Sequence, residues 1–163
     1  MLSSARYASP VGVIEVRGGP AGLRELGWRR SGSEAPAQPD ETVQLVLQQL
    51  AEYFAGQRQS FDDVPLDLPR LAPVPRAVLD ALQTIPYGAT ITYGELAARS
   101  GTGLPARAIG SIMGANPVPL VIPCHRVVAG DGLGGYSGGE PGQGIATKRW
   151  LLELEGALPP TLL

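Results

Sequence analysis

One cysteine and one histidine stand side by side, Cys124 and His125, and each is the only residue of its kind in the 163-residue chain. A thiolate is a strong nucleophile, but a free cysteine is mostly protonated at neutral pH and needs a neighbouring base or a positive field to react. Pro123 precedes the pair and a glycine-rich loop follows at residues 130–144, which is typical of exposed functional segments. A reactive nucleophile and a small buried core residue are the two interpretations that these features leave open for Cys124.

A histidine that serves as the base of a nucleophile is itself oriented by a carboxylate. Neighbouring side chains often diverge, so we expect a water molecule to bridge Cys124 and His125. Spacing alone does not choose the carboxylate among the six acidic residues of the second half, Asp80, Glu95, Asp131, Glu140, Glu153 and Glu155. One cysteine cannot form an internal disulfide, and with one histidine it leaves too few soft ligands for a structural zinc site. We therefore expect neither a metal nor a disulfide.

The elements that precede this pair begin with a predicted hairpin. Residues 9–16 form an apolar strand, and a turn at residues 18–20 leads to a returning strand with Leu23, Leu26 and Trp28. Asp40 is then predicted to cap a helix that Gly56 ends. Its apolar residues recur at three-and-four spacing, at Val43, Val46, Leu47, Leu50, Ala51 and Phe54.

Two proline-containing segments divide the chain. Residues 31–39 are predicted to form a polar loop, and residues 61–75, with prolines at 65, 69, 73 and 75, a linker between two domains. The predicted division is an N-terminal α/β structural domain at residues 1–72 and a second domain at residues 73–163.

Short helices dominate the second half. One is predicted at residues 76–84, and the capping box at residues 92–95 opens another. Pro105 is predicted as the first residue of the next helix, which the Asn-Pro pair at residues 116–117 breaks. The last two of these helices form a helix-turn-helix candidate, although many such pairs bind nothing. A final helix is predicted to be capped by Thr147.

Arg107 is a charged residue near the start of the second helix of this pair, between Ala106 and Ala108. Small flanking residues let a helix approach another backbone closely, as a helix lying against DNA must. A solvated surface arginine is the commoner case and the alternative interpretation.

The charge balance argues mildly against a nucleic-acid partner. Lys+Arg number 13 and Asp+Glu 15, a net charge of −2, whereas nucleic-acid-binding domains usually carry a basic face. The excess acid lies in the first 75 residues, so the neutral second half can still gather a local basic patch. The longest aliphatic stretch, near residues 118–122, is too short to span a bilayer, and no secretory leader opens the chain. We therefore expect a cytoplasmic protein without a membrane partner.

The segment Ile122-Pro123-Cys124-His125-Arg126-Val127-Val128 resembles the active-site signature of the O6-alkylguanine-DNA alkyltransferases, or methylated-DNA–protein-cysteine methyltransferases. Further segments resemble that family in the same order, at residues 85–88, 92–97, 107–110, 116–119, 135–139 and 148–155. The resemblance is close over residues 76–157 and looser over residues 1–70, where it includes Glu52-Tyr53-Phe54-Ala55-Gly56. The expected fold is α+β, with a small N-terminal β-hairpin or sheet plus helix, then a mainly helical domain with a winged-helix-like helix-turn-helix.

The resemblance implies DNA repair by a single-turnover alkyl transfer. An alkyl group would pass irreversibly from O6-alkylguanine in double-stranded DNA to Cys124, with O4-alkylthymine as a second candidate substrate and no cofactor. His125 would act as the base through a water and Glu155 would hold it. Asn116 would brace the turn that presents the cysteine, and Tyr93 would protonate the leaving guanine.

The resemblance also implies how DNA is bound. Arg107 would fill the gap left by a flipped nucleotide, and an alkylated base pairs badly, so its extrusion costs less. The protein would bind in the minor groove, where base pairs are poorly distinguished. Tyr93 and the small residues Ala106, Ala108 and Gly110 would make this contact. The flipped base would lie against the backbone near Cys124 and against Val127, Tyr136, Ser137 and Gly138. The protein is expected to be a monomer, with cooperative binding along DNA left open.

The sequence departs from the family pattern at three places. Residues 74–79 carry Val-Pro and Val-Leu where the family usually has Phe-Gln and Val-Trp, which bears on packing between the domains. The loop after Tyr136 has extra residues at 140–144, and residues 131–134 are one residue shorter than in some relatives. Both loop differences bear on the lid of the base pocket and on its tolerance for bulky alkyl groups.

Three alternative functions predict different properties of the protein. A cysteine hydrolase that uses Cys124 and His125 would turn over repeatedly. A non-enzymatic lesion-binding relative would lack the cysteine, which is present here. A transcription regulator switched by alkylation of Cys124 would need a second DNA-binding module, for which 163 residues leave little room.

Overall fold

The computed structural model of the protein describes residues 2–28 and 38–159. Three strands and a helix form the first part: β1 (Ser3–Ser9), β2 (Gly12–Gly19), β3 (Gly22–Gly27) and α1 (Glu41–Phe54). The second part is mainly helical: α2 (Pro73–Leu82), β4 (Ile91–Thr92), α3 (Tyr93–Ser100), α4 (Ala106–Gly114), a 3-10 turn (Cys124–Arg126), β5 (Val127–Val128) and α5 (Gly144–Leu154). This architecture confirms the predicted α+β fold class. None of the helices in the described part of the chain has the length and apolar character needed to cross a bilayer.

The sheet has three antiparallel strands in the order β1-β2-β3, one more than the sequence predicted. The predicted strand at residues 9–16 is shifted because the hydroxyl of Ser9 accepts from the N–H of Val11 and donates to the carbonyl of Gly12, at 3.1 and 2.6 Å. These bonds make residues 9–12 a turn. The second strand therefore starts at Gly12 and runs through the predicted turn to Gly19.

Helix α1 packs against the sheet and begins as predicted at Asp40, whose side chain accepts a hydrogen bond from the N–H of Val43. Its buried face meets the inner face of β2, and the fully buried contacts include Val43, Val46, Leu50, Ile14 and Val16. The predicted loop at residues 31–39 lies outside the described residues except for its last two positions.

The segment predicted as a linker packs closely on the sheet. Phe61 and Val64 are buried, and Leu23 exchanges backbone hydrogen bonds with Pro65 and Asp67, at 2.8 and 2.9 Å. Helix α2 then begins three residues before its predicted start, because a proline in the first turn of a helix loses no intrahelical hydrogen bond.

The helix-turn-helix consists of α3 and α4, joined by residues 101–105. Gly101 ends α3 in the left-handed conformation, with φ of 70°, and Pro105 is the N-cap of α4 instead of its first residue. Strands β4 and β5 pair in parallel, so the residues before α3 lie beside those that follow Cys124.

Helix α5 begins at Gly144, so the prediction that Thr147 caps it is wrong. Thr147 lies within the helix, and its N–H donates to the carbonyl of Gln143 at 2.8 Å. The threonine is buried and its hydroxyl lies against Gly139, so it packs the glycine-rich loop onto the helix.

The capping box of α3 allows a direct test of how firmly the helix-turn-helix is held. The hydroxyl of Thr92 accepts from the N–H of Glu95 at 3.1 Å, and the carboxylate of Glu95 accepts from the N–H of Thr92 at 2.9 Å. Thr92→Ala removes the cap and should lower the free energy of unfolding by about 1 kcal/mol, measured by urea denaturation. Thr92→Ser, which keeps the hydroxyl, should retain most of the stability; equal losses in both variants would contradict the capping role.

Candidate active site

A braced turn between α4 and the 3-10 helix presents Cys124. The side-chain amide of Asn116 donates to the carbonyl of Ile122 at 2.8 Å and its oxygen accepts from the N–H of Val118 at 3.0 Å. Leu120 has φ of 75°, the one positive value outside glycine among the described residues, and such a conformation persists only where its surroundings impose it. The side chain of Asn116 therefore bridges two backbone positions of the turn that leads to Cys124.

A buried hydrogen-bonded cluster begins at the residue after the cysteine. The Nε2 atom of His125 lies 2.7 Å from the Oε2 atom of Glu155, and the Nε and Nη2 atoms of Arg126 donate to Oε1 and Oε2 at 2.8 and 3.2 Å. The hydroxyl of Tyr53 donates to the same Oε2 atom at 2.6 Å. The side chains of His125 and Glu155 are fully buried. Of the six acidic candidates, Glu155 is thus the carboxylate that contacts His125.

Charge in this cluster fixes the direction of its hydrogen bonds. Burial raises the pKa of Glu155, but the hydrogen bonds and charges of His125 and Arg126 outweigh it and lower that pKa to about 2. Burial lowers the pKa of His125, against the opposing effect of Glu155. A neutral imidazole beside a carboxylate must donate through Nε2, which leaves Nδ1 as the acceptor. Among the described residues Nδ1 has no hydrogen-bond partner.

The thiol of Cys124 is almost completely buried, and burial raises its pKa to about 11, although Asn116 and Lys148 each act to lower it. The ammonium of Lys148 donates to the carbonyls of Val127 and Gly135 at 2.5 and 2.9 Å. Burial lowers the pKa of Lys148 to about 8, while the nearby Cys124 acts to raise it. The cysteine is therefore a protonated thiol at neutral pH, and it needs a base before it can attack.

Two cavities reach the cysteine. One, of about 300 Å³, is lined by Tyr93, Gly110, Met113, Gly114, Cys124, Gly135, Tyr136 and Ser137. The other, of about 490 Å³, opens toward the sheet and is lined by Leu26, Gly27, Trp28, Gly114, Ala115, Asn116, Pro119, Cys124, Ser137, Gly138, Gly139 and Pro141. Five residues are predicted to hold or protonate the flipped guanine. Four of them border a cavity, namely Tyr93, Tyr136, Ser137 and Gly138. The fifth, Val127, is fully buried and its carbonyl binds Lys148.

The outer face of α4 carries the residues predicted to meet DNA. Arg107 and Ala106 are exposed, Ala108 and Gly110 are half-buried, and Ile109 between them is in the core. Gly110 also borders the smaller cavity. One short helix therefore connects an exposed arginine to the cavity that contains the thiol.

Sequence reasoning missed three members of the site. In the sequence, Tyr53 stands out only as part of a segment at a helix end. Arg126 and Lys148 stand out only as members of segments that resemble the family. Nothing in local spacing indicates that Tyr53 contacts a carboxylate 102 positions away. A buried lysine and a buried arginine are rare, but burial is not visible in the sequence.

Two family models match this chain. The model described as 6-O-methylguanine DNA methyltransferase, DNA binding domain, matches residues 73–157, and the model described as 6-O-methylguanine DNA methyltransferase, ribonuclease-like domain, matches residues 3–68. The chain belongs to the 6-O-methylguanine DNA methyltransferase family. The family prediction made from the sequence is therefore confirmed.

Individual relatives and solved structures are similar to this chain along most of their length. A Mycobacterium tuberculosis relative, a methylated-DNA–protein-cysteine methyltransferase, is 41% identical over 165 residues, which cover 98% of this chain and 96% of the relative. A Thermus thermophilus relative, a DNA base-flipping protein, is 36% identical over 154 residues, or 92% and 97% of the two chains. The crystal structure of the M. tuberculosis O6-methylguanine methyltransferase matches with a TM-score of 0.80 at 39% identity, over 99% of this chain and 97% of that one. A structure of M. tuberculosis OGT in complex with DNA matches with a TM-score of 0.79 at 40% identity, over 94% and 92%.

The departures from the methyltransferase family pattern have local structural consequences. In α2, Val78 and Leu79 are buried in the hydrophobic core, whereas Val74 is 43% exposed. The buried face of this helix is therefore aliphatic and has no aromatic side chain. In the loop after Tyr136, the carboxylate of Glu140 accepts a hydrogen bond from the N–H of Val13 in β2 at 3.2 Å. This contact attaches the loop, whose Gly139 and Pro141 line the larger cavity, to the N-terminal sheet.

The buried carboxylate makes stability depend on acid pH. The pKa of Glu155 is near 2 in the folded protein against an ordinary 4.5, so its contribution is complete above pH 4.5 and is lost as the pH falls toward 2. The free energy of unfolding, measured by urea denaturation at a series of pH values, should therefore decrease through this window. In Glu155→Gln this part of the decrease should be absent, whereas Glu153→Gln, two residues earlier at the end of α5, should retain it. An identical pH dependence in Glu155→Gln and the wild type would contradict the assignment.

Proposed function

We propose that this protein repairs double-stranded DNA by transferring the alkyl group of O6-alkylguanine to the sulfur of Cys124. The observation that carries the proposal is a single buried thiol, bordering two cavities, beside a histidine hydrogen-bonded to an ionised carboxylate. The sulfur attacks the alkyl carbon, a carbon–sulfur bond forms, and the bond between that carbon and the guanine oxygen breaks. Because a thioether is stable, each molecule reacts once.

The thiol must lose its proton before or during the attack. In the proposed relay, a water passes the proton of Cys124 to the Nδ1 atom of His125, and the carboxylate of Glu155 stabilises the imidazolium that forms. Tyr93 borders the smaller cavity with Cys124 and is the proposed donor of the proton that the departing guanine takes up. Asn116 keeps the turn rigid, so that the sulfur meets the carbon in line.

The DNA is proposed to lie against α4, with the damaged nucleotide flipped into the cavity. The small residues of α4 allow a DNA backbone to come close to the helix, namely Ala106, Ala108 and Gly110. The side chain of Arg107 is proposed to occupy the space that the flipped nucleotide leaves. Tyr136, Ser137 and Gly138 are proposed to hold the base, together with the buried backbone at Val127. A protein that grips the minor groove reads sequence poorly, which suits repair in any context.

We further propose that residues 1–72 and 73–163 are the two structural units of a monomer that works in the cytoplasm. The matched segments of the two family models, residues 3–68 and 73–157, support a boundary close to residue 72. The second unit contains every proposed contact with DNA and every residue of the relay named so far.

Stoichiometry tests the nucleophile and separates this function from a cysteine hydrolase. After incubation with an excess of duplex DNA containing O6-methylguanine, the intact mass of the wild-type protein should increase by one methyl group, located on Cys124, and then stop. Cys124→Ser should bind the DNA and gain nothing, because a hydroxyl is far less acidic than a thiol. Repeated turnover without a mass change would indicate a hydrolase, and transfer by Cys124→Ser at the wild-type rate would refute the nucleophile.

Arg107 is tested by comparing a duplex with a free base. Arg107→Ala should weaken binding and slow repair of duplex DNA, because the extruded nucleotide can restack, whereas reaction with free O6-benzylguanine should be nearly unchanged. Arg107→Lys should restore only part of the loss, since an ammonium lacks the flat guanidinium. Both rates are measured in single-turnover reactions.

The control for this comparison is Arg6→Ala, which removes an exposed arginine from β1 and should change neither rate. Full recovery with lysine would mean that Arg107 only attracts phosphates. Equal slowing on the duplex and on the free base would mean that it supports the fold of the site.

A further inference from the structure

The hydroxyl of Tyr53 reaches into the relay from the other half of the chain. Tyr53 lies in the last turn of α1, is 1% exposed, and donates to the Oε2 atom of Glu155 at 2.6 Å. Burial, followed by the charge of Glu155, raises the pKa of Tyr53 well above its ordinary value. The hydroxyl therefore keeps its proton at neutral pH and acts as a hydrogen-bond donor.

Tyr53 and His125 share one carboxylate oxygen. The Nε2 atom of His125 lies 2.7 Å from Oε2, whereas the Nε atom of Arg126 occupies Oε1 and its Nη2 atom makes only a longer contact with Oε2. A donor that draws electron density from an oxygen weakens the other hydrogen bonds which that oxygen accepts. The strength of the bond between Glu155 and His125 therefore depends on the hydroxyl of Tyr53.

We propose that Tyr53 is a positioning residue of the relay, whose hydroxyl fixes the Oε2 atom of Glu155 and limits how strongly that oxygen holds the Nε2–H of His125. By this contact the N-terminal unit contributes a group to a reaction whose other residues all follow position 92. The kinetic consequence rests on the proposed function of Cys124, but the effect on His125 does not.

The surroundings of Tyr53 make a clean substitution possible. Its ring packs against three aromatic rings, with centroids 5.2, 5.5 and 6.3 Å away, those of Phe54, Phe61 and Tyr87. Tyr53→Phe keeps these contacts and removes one oxygen. The other ionisable groups near the Glu155–His125 pair stay in place, namely Arg126, Lys148, Cys124, Tyr87 and Tyr136.

The matched control is Tyr87→Phe. The hydroxyl of Tyr87 donates to the backbone carbonyl of Leu154 at 3.2 Å, beside the same carboxylate but not to it. Both variants lose one tertiary hydrogen bond from a tyrosine that packs near Glu155. A difference between them therefore reports the contact with Oε2 and not a general loss of stability.

The first measurement uses the single histidine of the chain. With isotope-labelled histidine, the Nε2–H proton of His125 gives one imidazole resonance whose position reports the strength of its hydrogen bond. In Tyr53→Phe this resonance should move to higher frequency, because Oε2 then binds His125 more strongly. In Tyr87→Phe it should stay near the wild-type position.

The second measurement is the single-turnover rate of alkyl transfer as a function of pH. A more strongly held imidazole is easier to protonate, so the acidic limb of the curve should move to higher pH in Tyr53→Phe, by on the order of one pH unit. Tyr87→Phe should leave the limb in place. An unchanged resonance, or a resonance that moves while the rate curve does not, would overturn the positioning role.

Two outcomes would not by themselves refute the positioning role of Tyr53: a Tyr53→Phe variant that does not fold, and a wild-type protein that transfers no alkyl group. If Tyr53→Phe did not fold, 3-fluorotyrosine placed at position 53 keeps the shape and is a stronger donor, so the resonance should move to lower frequency; no movement would overturn the inference. If the wild-type protein transferred no alkyl group, the proposed function would fail, while the resonance would still decide whether Tyr53 acts on His125.

Discussion

The active site is organised around one buried negative charge, the carboxylate of Glu155. Removing a carboxylate from water costs several kcal/mol, and here four donor atoms on Tyr53, His125 and Arg126 offset that cost. A pKa near 2 means that these donors outweigh burial. They belong to α1 and to the 3-10 helix, while Glu155 follows α5. The negative charge therefore has all its donors only when α1, the 3-10 helix and the end of α5 are packed together.

Burial of the cysteine is the second constraint. It disfavours the charged form of Cys124, whereas the donors around Glu155 favour the charged form of that carboxylate. The environment that raises the pKa of Cys124 to about 11 keeps the sulfur protonated in the resting protein, and a thiol reacts far more slowly than a thiolate. A protein that is consumed by one reaction benefits from this, because adventitious alkylation would destroy it. In the proposed relay the thiol needs a base that is neutral before the reaction, and burial lowers the pKa of His125 in keeping with that role. The pairing of β4 with β5 holds the segment of Tyr93 beside this arrangement.

Local chemistry made part of this structure predictable from the sequence. The cap at Asp40 and the capping box at Thr92 depend on residues within three positions, and both helices begin where those residues indicate. Strand β1 was missed because its residues, Ser-Ser-Ala-Arg-Tyr-Ala-Ser, show little apolar alternation. Thr147 carries the residue type of a cap but is buried inside α5. Residue types alone left six acidic partners for His125, and only the family resemblance singled out Glu155. The Tyr53 contact joins residues far apart in sequence, so no local pattern could indicate it.

One of the two glycines of α4, Gly110, bears on what the helix contacts outside the protein. A glycine inside a helix costs about 0.5–1 kcal/mol relative to alanine, so its presence needs a reason. A Cβ atom added at Gly110 would meet nothing within 4 Å, and its helical backbone does not require glycine. Packing within the described residues therefore supplies no reason for it. Gly110 borders the cavity of Cys124 and lies one turn beyond the exposed Arg107. A close approach by another molecule at this point would explain the glycine, and the proposed passage of a DNA backbone beside the cavity would be such an approach.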